Sequence, residues 1–574
     1  MKTRHLNTMT LGLAALLVAT LAGLPLGAQS EPIDYANLDR IKAMGLNPES
    51  SQVMELASWM TDVYGPRLSG SPHIQRAGEW AVKTMKAWGL ENVALEPWDN
   101  QTLFPRGWTN DKFYFAAVEP DAFPIYGMST AWTPGTNGLV RGQAVLIPST
   151  AEEDVTKFSG QLKGKFVLRQ APPDIAAFWN PAATRYTREQ LDAMEAPNRG
   201  LEFGVSPPGG AAGRGAGGRG GRAGGAGAAG APPFNVNEFF LKEGVVAVLS
   251  TNPRGHGLFT IGGASRTADP ATVLPAITIA AEHYNRIART LMKNVPVTLE
   301  ADIKNTFHPQ PTMFNVVGEI RGTDKADELV MLGAHFDSWH VSTGATDNAA
   351  GSAAMMEAMR ILKQSGVPLR RTVRIALWNG EEQGLIGSRD YVNKHFASRG
   401  PAPAAPAGGD PARAGGAGAG GRGGGRGGGQ GPLELKPAHA KFQAYFNIDN
   451  GTGAIRGVYL QNNQAIGPIF RAWMEPFRAI GMTHLNPGNT GGTDHGSYDG
   501  VGLPGFQFIQ DGVEYNTVTH HYNMDSYDRL QPEDMRRNAT IAAGFAFLAA
   551  NREQLLPRKA MPQPGQGGRG RGGN

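Results

Sequence analysis

The sequence predicts an α/β protein in which a mostly parallel central sheet is flanked by helices and a smaller module is inserted into the chain. Three observations point there. From Phe314 onward, apolar strand-like runs (FNVVGEI, ELVMLGAH, RTVRIALWN) alternate with helical ones such as AAGSAAMMEAMRILKQSG, the pattern of parallel strands covered on both faces. Between Asp121 and Asn305 the pattern shifts to short β-like runs with turn residues between them. Between Met331 and Ser388 a histidine, an aspartate and a glutamate pair each follow an apolar run. In an open α/β sheet the carboxyl ends of the strands converge on one crevice, so ligands distant in sequence can meet there.

Taken in order, the chain opens with Lys2, Arg4 and the apolar run LGLAALLVATLAGLPLGA, ending at the small residue Ala28. That is the form of a secretory signal peptide over 1–28, which implies a secreted or periplasmic mature protein. Gln52 to Val63 and Gln75 to Trp88 carry apolar residues at helical spacing, and ENVALEPW reads as a strand. Thr102 to Glu119 is expected to continue the same domain, giving a discontinuous catalytic domain of 29–120 and 306–556.

The inserted module, 121–305, contains GQAVLIP, GKFVLRQ, GVVAVLS and PAITIA as strands and a helix near Ala281 to Met292. It is expected to be a small α/β or barrel-like unit. Beyond RTVRIALWN come a helix (QGLIGSRDYVNKHF), two strands (FQAYFNID, AIRGVYLQ), a helix (AIGPIFRAWMEPFRAIG), a strand (GLPGFQFIQ) and a closing helix from Asp534 to Asn551. The stretches 207–233 and 399–431 and the tail 557–574 are rich in Gly, Arg and Pro. Such segments bury too little apolar surface to offset their ordering entropy, and disorder is expected.

The formal net charge of +4 misleads, because nine arginines against Asp410 sit in 207–233, 399–431 and the Gly-rich run from Gln563, and two more positive charges in the leader; without them the globular part carries about −6. The charge therefore gives no argument for nucleic-acid binding, and RGG-like RNA binding sits badly with export. No second run approaches the ~18 to 20 apolar residues that span a bilayer, so no stable membrane anchor is expected in the mature chain. The chain has no cysteine. Any metal must be held by imidazole and carboxylate, which favours zinc, with manganese or cobalt as substitutes.

The candidate ligands recur at strand ends. His335 and Asp337 follow ELVMLGA, and a carboxylate on the second ring nitrogen of a ligand histidine is a common orienting arrangement, the role given to Asp337. Asp347 lies in GATDNAAG before a helix, where it could cap the helix or bridge two cations. Glu381 and Glu382 follow RIALW; buried side by side they would repel without a cation or a shared proton. Asp449 ends FQAYFNI, and His520 and His521 fall in THHYNMDSYD. Each has an ordinary structural explanation alone, but together they mark successive strand ends.

The ordered set GAHFDSW, GATDNAAG, WNGEEQGLIGS, NIDNGTG, GGTDHGSYDGVGLPGFQF and HHYNMDSYD resembles the co-catalytic di-zinc exopeptidases, the bacterial leucyl aminopeptidase and glutamate carboxypeptidase group. Its carboxypeptidase Q-like branch is the nearest in appearance, through HFDSW, WNGEEQG and the doubled histidine. The resemblance covers most of Arg67 to Ala549 and implies that the inserted module is a protease-associated domain.

It also implies two zinc ions per chain. His335 and Asp449 would hold one, Glu382 and His521 the other, and Asp347 both, with Glu381 as general base and Asp337 orienting His335. His521 is preferred to His520 by its spacing from Asp525-Ser526; His520 would then stabilise the oxyanion. His495 either lines the substrate pocket or packs internally. A cis peptide at Asp347–Asn348 is implied as well.

The expected activity is hydrolysis of peptide bonds next to a free amino terminus, in peptides or dipeptides, by a metal-activated water. Two metals could hold that water and polarise the scissile carbonyl, while a carboxylate moves the proton. The alternatives are a catalytically inactive peptide-binding or receptor-like protein of the same fold and a single-zinc acyltransferase of the glutaminyl-cyclase kind. The complete set of ligand positions argues against both.

Overall fold

The computed structural model describes residues 31–196, 234–400 and 432–561. The expected signal peptide 1–28, the Gly-rich run 207–233, all but the first two residues of 399–431, and the tail beyond 561 lie outside them.

Eight strands form the first sheet: β1 (Glu91–Pro97), β2 (Phe314–Ile320), β3 (Lys325–His335), β4 (Arg371–Trp378), β5 (Phe442–Asn447), β6 (Ile455–Tyr459), β7 (His484–Asn486) and β8 (Gly505–Gln510). Their order is β1-β2-β4-β3-β5-β8-β6-β7. The four central strands β4, β3, β5 and β8 run parallel. The pairs β1–β2, β2–β4 and β6–β8 are antiparallel. The sheet is therefore mixed, parallel through its centre and again between β6 and β7 at one edge.

Both faces are buried, which is why the central strands read as continuous apolar runs. Along β3, Val330, Leu332 and Ala334 enter the large core while Met331 enters the opposite one. Helices α1 (Tyr35–Gly45), α2 (Pro72–Ala87), α3 (Ala350–Ser365) and α5 (Pro532–Asn551) contribute to the first core, and α4 (Ile386–His395) to the second. Helix α3 is small-residue-rich and almost wholly buried, and it ends where Gly366 turns to φ 64°. In α5, a Cβ at Gly544 would come within 2.1 Å of the Phe477 ring, so glycine permits that close approach.

Several elements differ from expectation for local reasons. Helix α1 went unanticipated; Asp34 caps it by accepting from the Asn37 backbone N–H at 3.1 Å. The helix expected over 52–63 is α-helical only through Ser58 and continues as a wider turn. The helix beginning at Gly467 tightens after Met474, where Pro476 supplies no N–H.

A second eight-stranded sheet has the order 123–124, 107–119, 298–308, 140–146, 166–168, 247–250, 276–279, 127–129. Its four strands 140–146, 166–168, 247–250 and 276–279 are parallel. Gly107–Glu119 and Thr298–His308 pair antiparallel from Gly107 opposite His308 to Glu119 opposite Thr298. Sheet membership therefore carries the inserted unit to about 107–308, beyond the 121–305 expected, and Thr102 to Glu119 does not continue the first sheet. The two units share a small aromatic core in which Leu68, Trp98 and Met313 meet Phe104, Trp108 and Trp132.

Candidate metal centre

The four parallel strands deliver the candidate residues to one edge. His335 is the last residue of β3, Glu381 and Glu382 follow β4, Asp449 follows β5, and the loop beyond β8 brings His520 and His521. Asp347 arrives on the turn entering α3, and the Asp347–Asn348 peptide is cis.

Asp347 stands at the middle. Its Oδ1 lies 3.1 Å from His335 Nε2, which is also 3.1 Å from Asp449 Oδ1. Its Oδ2 lies 3.3 Å from His521 Nε2, and that nitrogen is 3.0 Å from Glu382 Oε2. His520 Nε2 is further from Asp347, at 3.8 Å, and its ring stacks on Tyr515 at 4.7 Å. Two triads of candidate ligands result, His335–Asp347–Asp449 and Asp347–His520–His521, with Asp347 common to both.

The surroundings fix this geometry. His335 Nδ1 donates to the Asp337 backbone carbonyl at 2.9 Å, whereas the Asp337 carboxylate, expected on that nitrogen, is 3.8 Å away. The carboxylate instead accepts from Ser69 Oγ at 2.9 Å and from the backbone N–H groups of Glu381 and Glu382 at 3.2 and 3.3 Å. It thereby holds the glutamate turn. Asp525 acts likewise on Asp347, accepting from the Thr346 and Asp347 backbone N–H groups at 2.7 and 3.1 Å. Beneath both, the buried Arg67 guanidinium donates to the carbonyls of Met60, Phe336, Thr343 and Gly344. His495 is fully buried, with Nε2 3.1 Å from the Thr490 carbonyl oxygen, and presents no surface to a substrate pocket.

The electrostatics are those of a crowded anionic site. Burial, with Asp449, Asp494 and Glu382 nearby, raises the Glu381 pKa well above its ordinary value. Burial and Asp347 do the same to Glu382. His335 is raised too; burial opposes this, but Asp449 and Asp347 outweigh it. Burial pushes Asp494 and Asp525 up to about 7.

Asp347 Oδ2, Glu382 Oε1 and both Asp494 carboxylate oxygens are buried without a hydrogen-bond donor. Buried acceptors left this way are costly unless a cation or proton satisfies them. Imidazole and carboxylate donors around orphaned oxygens are a donor set that suits zinc.

Asp494, Asp525, Ser69 and Arg67 were not assigned roles from sequence. Asp494 precedes a short helix and reads locally as its cap, yet it makes no capping bond. Only the assembled fold brings it toward Glu381.

Residues 315–546 match the model of peptidase family M28. Over that part the chain is similar to peptidase family M28. The chain is 23% identical to carboxypeptidase Q of Mus musculus over 501 residues, covering 87% of this chain and 86% of that one. Against the Homo sapiens carboxypeptidase Q the identity is 22% over 508 residues, covering 88% and 86%. The crystal structure of a peptidase M28 precursor from Shewanella amazonensis SB2B superposes with a TM-score of 0.59 at 21% identity, covering 92% of this chain and 99% of that one. This likeness shows the shared fold. With the M28 match and the paired ligand triads, the protein is a zinc metallopeptidase.

Proposed function

We propose that the protein is a di-zinc exopeptidase that cleaves the peptide bond next to a free amino terminus, as an aminopeptidase or a dipeptidase. The observation that carries this reading is Asp347, whose two carboxylate oxygens face His335 on one side and His521 on the other. His335 and Asp449 would hold one zinc, Glu382 and His521 the other, and Asp347 both. Two bound zinc ions would supply a water acidic enough to attack at neutral pH and a Lewis acid for the scissile carbonyl.

The chain's own groups do the rest. Glu381 adjoins the ligand Glu382 and accepts the proton of the attacking water on its carboxylate, then returns it to the leaving amine. Asp337 and Ser69 hold the turn that aims Glu381. His520, stacked on Tyr515 and 3.8 Å from Asp347, would donate to the developing oxyanion.

The carboxypeptidase Q relatives support the exopeptidase assignment, and we read the unit at 107–308 as a protease-associated domain. Export through the leader 1–28 belongs to the same reading; amino-terminal sequencing of protein recovered outside the cytoplasm should begin beyond Ala28. Among the described residues no helix is long and apolar enough to cross a membrane.

A panel of aminoacyl amides, dipeptides and amino-blocked peptides, assayed with and without chelator, tests the function. Free-amine substrates should be cleaved, blocked ones spared, and chelation should abolish turnover reversibly. Equal cleavage of blocked peptides would overturn the exopeptidase reading.

A further inference from the structure

The two halves of the metal centre are anchored differently. His335 is 1% exposed and ends a central strand. The His521 side chain is 37% exposed and sits on the loop after β8 with φ 62°. A non-glycine residue in that conformation is strained and persists only when its surroundings dictate it. Burial does not hold His521, so the restraint lies in the contacts of its loop.

Toward the first sheet, Asp525 grips the Thr346 and Asp347 N–H groups, and Thr346 Oγ1 donates to Thr519 Oγ1 at 2.7 Å. Ser342 Oγ donates to the Asp525 carbonyl at 2.8 Å and Arg529 pairs with Glu514 at 3.0 Å; further stitches come from the inserted unit. Thr184 and Val513 exchange both backbone hydrogen bonds, at 2.9 and 2.8 Å. Thr517 Oγ1 donates to the Ala182 carbonyl at 2.6 Å. Arg254 Nε donates to the Thr517 carbonyl at 3.1 Å, and its guanidinium lies over the rings of Phe178 and Tyr522 at 4.8 and 5.7 Å.

Asn523, two residues after His521, is held on both sides. Its backbone N–H donates to the Phe259 carbonyl at 3.1 Å, its Nδ2 to the Gly257 carbonyl at 3.0 Å, and its Oδ1 accepts from the Phe259 N–H at 3.0 Å. Arg185 completes the seam with ion pairs to the buried Asp511 and Asp534, at 3.0 and 2.7 Å.

We infer that the inserted unit is a working part of the metal centre: through Arg254 and the segments 182–186 and 257–260 it positions His521, so that binding of one of the two cations depends on a different sheet. Arg254 is a positioning residue acting through Thr517. The inference rests on the reading of His521 as a ligand, and the test separates the two.

Zinc is titrated into the metal-free full-length chain by calorimetry and by chelator competition, with thermal unfolding followed alongside. The wild type should bind two equivalents. Arg254→Ala should keep one at unchanged affinity and weaken the other about 10- to 100-fold, the range seen when support behind a ligand is lost. Arg254→Lys, which can still donate to the Thr517 carbonyl, should recover part of it.

Arg266→Ala is the control. Arg266 also belongs to the inserted unit and lies over the Phe104 ring at 4.6 Å, with no hydrogen bond or ion pair to the His521 loop. It should lower the unfolding temperature and leave both zinc affinities intact. Two wild-type affinities in Arg254→Ala, or equal weakening by Arg266→Ala, would overturn the inference.

His521→Ala should lose one equivalent. If it keeps both, the ligand reading falls and the inference with it; if it loses one while Arg254→Ala keeps two, the inference alone falls. Should Arg254→Ala fail to fold, Thr517→Val, which removes the hydroxyl bound to Ala182, must weaken the same equivalent or the inference is rejected.

Discussion

The two sheets are built alike and end differently. Each has eight strands with four parallel ones in its interior, so each offers a carboxyl edge where loops converge. In the second sheet that edge carries Gln170, Thr251 and Tyr284, which satisfy one another: Gln170 Nε2 donates to the Thr251 carbonyl at 2.9 Å and Tyr284 Oη to the Gln170 carbonyl at 2.7 Å. In the first sheet the edge gathers His335, Asp347, Asp449, His520 and His521 into two triads of candidate ligands. Topology supplies the crevice in both. The residue types at the strand ends decide which crevice can do chemistry.

The largest expected effect comes from removing the proton acceptor at the first edge. Glu381→Gln should keep two zinc ions and lower kcat roughly 100- to 10,000-fold; near-normal turnover would show that another group moves the proton. Next comes Asp337→Asn, which sets an amide against the Glu381 and Glu382 N–H groups. Its turnover should fall about 10- to 100-fold, while the fold, read by circular dichroism, is retained.

A smaller effect is expected where the two units meet. His340 Nε2 donates to the Ser129 carbonyl of the inserted unit at 2.7 Å, and burial pushes its pKa from 6.5 down to about 4. As pH falls through about 6.5 the unfolded chain takes up this proton and the folded chain does not, so stability declines between about 6.5 and about 4, by up to roughly 3 kcal/mol. His340→Gln should flatten that part of the unfolding temperature against pH; an unchanged slope would place the acid sensitivity elsewhere. The smallest effect belongs to the second edge. Gln170→Ala should leave kcat and zinc content at wild-type values, and a drop in either would mean the two edges are not chemically distinct.

Much of this was legible in the sequence because the relevant signals are local. The βα alternation marked the central strands, and His335, Glu381, Glu382 and Asp449 each stand just past an apolar run that locates a strand end, whereas the roles given to Asp347, on a turn, and His521, in a polar loop, came from the resemblance. What escaped depends on tertiary partners. Gly107–Glu119 looks like a continuation of the preceding domain until Thr298–His308, nearly two hundred positions later, pairs with it. The carboxylate of Asp337 is two residues from His335, yet it serves the glutamate turn arriving from β4. Asp494 and Asp525 were given no role from sequence, and only burial among other carboxylates distinguishes them.

The most direct test is a crystal structure of the zinc-loaded enzyme with anomalous data collected across the zinc edge. Two anomalous peaks should appear on either side of Asp347, one contacting His335 and Asp449 and the other His521 and Glu382. A single peak, or peaks away from Asp347, would contradict the account.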